Sequence, residues 1–288
     1  MIRDRFAKYK AFSRVAKLLN IFLDAVFPSQ CLVCRRLFKP VAKRIAFKNS
    51  PNVKAEIMDP FSKASKLLAT FCCSNCVSAP AAISSPMCTC CGITFKSRQD
   101  ENHLCGNCIV TPKYFRMARA AASCDPQLMA VIHRYKYAGK IQLARPLGGM
   151  MLSAFIRHWE GEQVDQILPV PLHPRKFRSR GFNQTYLLIR RWNATAKAMQ
   201  ISLPNISIFT NVLFRTKETV PQTGLGRAQR LKNVRGAFSV QSPENVFGKK
   251  VLVVDDVYTT GATVNECARI LLKSGAECVD VLTLARAV

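Results

Sequence analysis

Residues 251–264 read VLVVDDVYTTGATV. Four apolar residues, Val251 to Val254, form a short run of the kind that builds a buried strand. The run ends on two adjacent carboxylates, Asp255 and Asp256, and then on a turn of Thr259, Thr260, Gly261, Ala262 and Thr263 that opens a helix. In open α/β folds ligands bind beyond the carboxyl ends of the strands, where these two acids would sit. Gly261 lets backbone approach a ligand closely, and a helix N-terminus offers free N–H groups and the positive end of its dipole. The cradle suits a phosphate and the carboxylates suit vicinal hydroxyls, so a sugar phosphate fits both halves. A strand end with chance acids, or a phosphoacceptor aspartate, would not need Thr-Thr-Gly-x-Thr directly behind it.

The flanking sequence repeats this texture from about residue 115 onward. RMARAAASC reads as a strand, and DPQLMAVIHRYKYAG as a helix with Asp125 as N-cap and Pro126 at its first position. A further helix is expected over roughly 141–158, a buried strand over 164–172, and a helix over 183–199. After the strand that carries the two acids, TVNECARILLKSGA reads as a helix and CVDVLTLARA as the next strand. Alternating strands and helices imply a parallel sheet covered on both faces.

The first 110 residues have a different signature. Four C-x-x-C units stand there: Cys31/Cys34, Cys73/Cys76, Cys88/Cys91 and Cys105/Cys108. Zn2+ takes four tetrahedral ligands and a C-x-x-C turn presents two thiolates to one ion, so four units imply two structural zinc sites. Sequential pairing is simplest. A cross-braced arrangement stays open, as does exchange of a ligand with Cys72, Cys90 or His103. Cys124, Cys267 and Cys278 lie in apolar contexts and read as small core residues.

The totals bound the rest. The chain has 288 residues with 49% hydrophobic content, which is globular rather than disordered, and a formal charge of +26 that favours polyanionic partners. Thirteen cysteines without a secretory signal point to the reducing cytosol, where paired cysteines are more often metal ligands than disulfides. No stretch reaches the ~18 apolar residues that span a bilayer. Val15, Leu18, Leu19, Phe22 and Val26 fall at helical spacing, giving a basic amphipathic helix over 1–28. It is expected to pack on its own protein, with peripheral contact to the inner membrane or another chain as the alternative. The organisation expected is this helix, a cysteine module over 29–112 with a basic insertion at 35–71, and an α/β domain over 115–288.

VLVVDDVYTTGAT resembles the phosphoribosyl-pyrophosphate (PRPP) motif of type I phosphoribosyltransferases. That resemblance implies Asp255 and Asp256 on the ribose hydroxyls and Thr259, Thr260, Gly261, Ala262 and Thr263 on the 5′-phosphate. Two further segments, LPVPLHPRKFRSRGFNQTYLL (168–188) and VPQTGLGRAQRLKNVRGAF (220–238), add clustered cations. With the cysteine pairs and FPSQC, they resemble the ComF/GntX family, associated with DNA uptake in competence. The fold implied is a type I phosphoribosyltransferase-like parallel sheet flanked by helices, with a small N-terminal zinc-ribbon module. The resemblance implies a pyrophosphate-side loop with His173, Arg175 and Lys176, and a hood over 220–235 whose Arg227 or Arg230 would stabilise departing pyrophosphate. It also implies Mg2+ bound with the pyrophosphate, a PRPP or ribose 5-phosphate ligand, and DNA-uptake proteins as partners. No general base stands out; His173 is the best of His133, His158 and His173. The competing expectation is a non-catalytic factor that binds single-stranded DNA and uses the fold as a scaffold.

Overall fold

The computed structural model describes Val26 and residues 28–40, 59–77, 80–95, 101–203, 207–220 and 226–287. The basic amphipathic helix expected over 1–28 lies outside the described residues, save Val26 and Pro28, as does 41–58 of the basic insertion. What is described of that insertion includes a short helix, α1 (Pro60–Leu68). A one-turn helix, α2 (Gly106–Val110), is capped by Cys105 and carries Cys108 of the last cysteine pair.

Four parallel strands form the central sheet: β1 (Ala118–Ser123), β2 (Gln166–Pro169), β5 (Lys250–Tyr258) and β6 (Cys278–Arg286), in the order β1-β6-β5-β2. Between β1 and β2 run α3 (Pro126–Tyr137), a 3-10 turn (Ile141–Leu143) and α4 (Ala144–His158). Asp125 caps α3 as its sequence predicts, accepting from the Leu128 amide at 2.7 Å. After β2 come α5 (Pro174–Arg180), α6 (Gln184–Ile189) and α7 (Trp192–Ala198), then the antiparallel pair β3 (Leu213–Arg215) and β4 (Phe238–Val240) with α8 (Arg227–Val234) between them. α9 (Ala262–Lys273) joins β5 to β6.

The single helix expected over 183–199 is two. Arg190 and Arg191 separate α6 from α7, and beyond the break Trp192 turns fully inward to donate its indole N–H to the Gly148 carbonyl at 3.1 Å.

Alternation along the two central strands divides the interior. Leu252, Val254, Leu282 and Leu284 face a core built with α4, α1 and the first cysteine knuckles. Val251, Val253, Val279 and Val281 face a second core built with α9 and the later knuckles, including Cys88, Cys91 and Cys108. Strands buried on both faces explain why β5 and β6 read as near-continuous apolar runs. α4 packs tightly because of two small residues: a Cβ on Gly148 would lie 2.1 Å from the Leu188 carbonyl oxygen, and one on Gly149 would lie 2.9 Å from the Ala64 Cβ. The carboxyl ends of β2 and β5 therefore open at one edge of the sheet, beneath α3, α5 and α8.

Candidate ligand site and cysteine clusters

A cavity of about 710 Å³ lies at that edge, and Asp255, Asp256, Thr259 and Thr263 line it together with Lys176 and Arg230. The two carboxylates are not equivalent. Asp256 is buried and paired: Lys136 Nζ stands 2.7 Å from one oxygen, and Gln184 Nε2 donates to the other at 3.1 Å. Gln184 is itself held, because the Tyr135 hydroxyl donates to its carbonyl at 2.6 Å and the Arg180 guanidinium donates to its side-chain oxygen. Asp255 accepts the Asp256 amide at 2.8 Å. Desolvation, followed by the neighbouring charge of Asp256, pushes its pKa up from 3.8 to about 7. One acid is thus held in an ion pair, while the other is held mainly by its neighbour's backbone amide.

Behind them the chain turns at Gly261, which sits at φ +75 as the N-cap of α9. A side chain there is doubly excluded, since a Cβ would lie 2.3 Å from the Tyr258 hydroxyl oxygen. The Thr260 hydroxyl accepts the Ala262 amide at 3.4 Å, which draws the turn closed at the head of the helix. The positive end of a twelve-residue helix makes this turn a favourable place for an anion.

Cations share the cavity with the acids. Lys176, Arg180, Arg215 and Arg230 all line it. Desolvation lowers the pKa of Lys176, and the nearby charges of Arg215 and Arg180 lower it further. Arg215 is likewise lowered by desolvation, against the pull of Asp255. Cations gathered within one cavity form a place where a polyanion gains from each of them.

The remaining expected residues are placed differently. Arg175 points away from the cavity into an ion pair with Glu218. His173 accepts the Arg175 amide through Nδ1 at 3.3 Å, so it caps α5 and does not line the cavity. His133 does line it, with its ring 4.8 Å from that of Tyr137. Arg227 opens α8 within the expected hood, but its side chain lies outside the described residues. Residues 221–225 of that hood also lie outside them. Three cavity residues were not singled out from sequence: Lys136, Gln184 and Arg215.

The eight paired cysteines gather as two groups, Cys31/Cys34/Cys73/Cys76 and Cys88/Cys91/Cys105/Cys108, with the sulfurs of each group within 4.8 Å of one another. This is the sequential pairing. Cys72 and Cys90 stand outside both groups, and the His103 ring stacks on Phe95 at 4.1 Å. The donor geometry fits zinc: the Cys34–Cys73 and Cys91–Cys105 sulfur separations are each 3.7 Å. A tetrahedron with Zn–S bonds of about 2.3 Å has edges of about 3.8 Å. Backbone amides also aim at the sulfurs, from Cys73 to Cys31 at 3.4 Å and from Cys105 to Cys88 at 3.3 Å. Burial raises both thiols, yet these amides prevail and bring Cys31 and Cys88 down to about 6.

Fold and site together define the class: a phosphoribosyltransferase-type α/β protein with two four-cysteine clusters preceding its sheet. The family model described as "Phosphoribosyl transferase domain" matches residues 198–287. The DNA utilization protein YhgH of Escherichia coli O6:H1 is 32% identical, over 74% of this chain and 89% of its own length. Competence protein F of Haemophilus influenzae is 35% identical over 64% and 78%, and competence protein ComFC of Streptococcus pneumoniae is 26% identical over 70% and 88%. The chain belongs to the ComF/GntX family.

Proposed function

We propose that the chain binds phosphoribosyl pyrophosphate, or a ribose 5-phosphate ligand, in the cavity at the end of β5, and that it serves DNA uptake or utilisation. The observation that carries this reading is the mixed polarity of one cavity, lined by Asp255, Asp256, Thr259 and Thr263 together with Lys176, Arg180, Arg215 and Arg230. A sugar with phosphates at both ends matches that polarity. The 5′-phosphate would take the Gly261 turn, the ribose hydroxyls the carboxylates, and the pyrophosphate the cations.

Mg2+ would come bound to the pyrophosphate and neutralise charge that develops there, and Asp255 is the acid suited to face it. Zn2+ would occupy both cysteine clusters as a structural ion, making 29–112 a module that braces the 115–288 domain. Pentosyl transfer is the activity this site would support. The bond from the anomeric carbon to pyrophosphate breaks, the leaving group keeps the electron pair, and an acceptor bonds to the same carbon. The role in DNA handling rests on the relatives' names, competence and DNA utilization.

The test is calorimetric titration with PRPP and Mg2+. Wild type should bind and the Asp255→Asn, Asp256→Asn double variant should not; a silent wild type ends the ligand-site reading. Pyrophosphate release in the presence of candidate acceptors separates transfer from binding alone.

A second reading has its own observation. The chain carries 43 Lys and Arg against 17 Asp and Glu, and Arg178 on α5 is among the exposed cations. Single-stranded DNA would engage such a surface, with the pocket non-catalytic. Affinity for an oligonucleotide should then fall steeply with salt; a flat dependence would mean the charges are merely solvated.

A further inference from the structure

We infer that Arg286 and Tyr258 join the second cysteine cluster to the phosphate-binding turn, so that the metal state of Cys88, Cys91, Cys105 and Cys108 sets how well that turn holds a 5′-phosphate. The inference rests on the ligand reading above for its last step and on contacts within the fold for the others.

The connection starts at the end of β6. Arg286 lies opposite Tyr258 in the register of β5 and β6, and its side chain is buried. Its guanidinium donates to the Cys91 carbonyl at 2.6 Å and to the Cys91 sulfur at 3.4 Å. Among the described residues it forms no ion pair with a carboxylate, and its Nε has no hydrogen-bond partner. A buried guanidinium needs a counter-charge. The cluster can supply one: four thiolates around one Zn2+ carry a net charge of minus two. Losing the ion would remove that charge and the fixed placing of the sulfurs, to which Arg286 is tied through Cys91.

The other face of Arg286 meets the turn. Its guanidinium carbon sits 4.2 Å from the centre of the Tyr258 ring. That ring lies against Gly261 so closely that a Cβ would overlap it. Phe115, in the same core as Cys88 and Cys91, packs edge-on against Tyr258 at 6.4 Å. Cys91, Arg286, Tyr258 and Gly261 thus form one contiguous series. If Arg286 loses its counter-charge, the ring that props the left-handed turn loses its fixed neighbour. Arg286 and Tyr258 are therefore positioning residues, acting on the ligand through Gly261.

Ribose 5-phosphate binding by calorimetry, amide hydrogen exchange at 259–263 and metal content test this on the full-length chain. Arg286→Met, purified folded with two metals per chain, should bind ribose 5-phosphate about tenfold more weakly than wild type and exchange faster at 259–263. Tyr258→Phe keeps the ring and should behave as wild type, whereas Tyr258→Leu should behave as Arg286→Met. Cys105→Ser, with one metal left, should match Arg286→Met, and combining the two should add little. Wild-type affinity together with wild-type exchange in folded, two-metal Arg286→Met overturns the inference. If zinc-loaded wild type fails to bind ribose 5-phosphate, the ligand reading falls, while the exchange rates at 259–263 still decide whether cluster and turn are coupled.

Discussion

The two cysteine clusters have the same ligands and the same sulfur spacing, yet they are built into the molecule differently. The first lies against the outer side of the α4 layer, with only Cys31 of its four ligands buried. Its surroundings are α1, whose Phe61, Ala64 and Leu68 press onto α4, and a chain reversal in which the Leu32 amide meets the Phe71 carbonyl at 3.0 Å. The second has three of four ligands buried and sits inside the core that also holds Tyr258, Ala262 and Val264. The first cluster does reach toward the cavity by one thread: Arg134 on α3 donates to the Val33 carbonyl at 3.0 Å, two residues before Lys136. The difference teaches that identical ligand sets can sit at the outside of a fold in one place and within the core beneath its ligand site in another.

The largest expected effect separates these roles directly. Cys108→Ser and Cys34→Ser should each lower bound metal from two ions to one by elemental analysis. The buried ligand should cost several kcal/mol and depress the melting temperature by roughly 10 °C, about twice the loss for the exposed one. Equal losses would break the comparison.

Next comes the ion pair on α3. Asp256→Asn leaves the Lys136 ammonium without its counter-ion and should destabilise the chain by about 3 kcal/mol in urea unfolding. Adding Lys136→Met should recover much of that loss. A neutral Asp256→Asn would mean that α3 is held by the first cluster and its helix contacts alone.

The effect of Asp255 depends on pH. Its pKa is raised on folding from 3.8 to about 7, so its stabilising contribution is full below about pH 4 and is lost as pH rises through about 7. Asp255→Asn should therefore melt with wild type at pH 4 and a few degrees above it at pH 8, in thermal scans without ligand, at roughly 2–4 °C per kcal/mol. The smallest effect belongs to the thread from the first cluster. Arg134→Met should cost about 1 kcal/mol and leave affinity for ribose 5-phosphate within twofold, where Arg286→Met does not. A tenfold loss in Arg134→Met would erase the distinction between the clusters.

What could be read in advance follows the same division between local and distant contacts. The acids and the threonine turn are contiguous, and a strand, a carboxylate pair and a helix start are all local signals, so VLVVDDVYTTGATV carries its own structure. The cysteine pairs were legible because each knuckle is four residues long. Lys136 was not, because its meaning depends on Asp256, far along the chain, and HRYKYAG displays only a helix. Gln184 reads as an ordinary first-turn residue until Asp256 and Arg180 are brought beside it. Arg215 sits on a three-residue strand too short for any period to show. In the other direction, Arg175 and His173 looked like ligands because they belong to a cation-rich loop; a carboxylate at Glu218 and a helix N-terminus claim them instead.

The strand order has a consequence for how this chain comes into being. β6, the latest of the four strands to be synthesised, lies in the interior of the sheet, between β1 and β5. While the polypeptide is still emerging from the ribosome, residues 31–108 can already bring their cysteine pairs together. The sheet edges that will meet across β6 nevertheless stay unpaired until residues 278–286 are released. Assembly is then a late insertion rather than a growth from one end, and the nascent protein must keep two hydrophobic strand edges apart until the last one arrives.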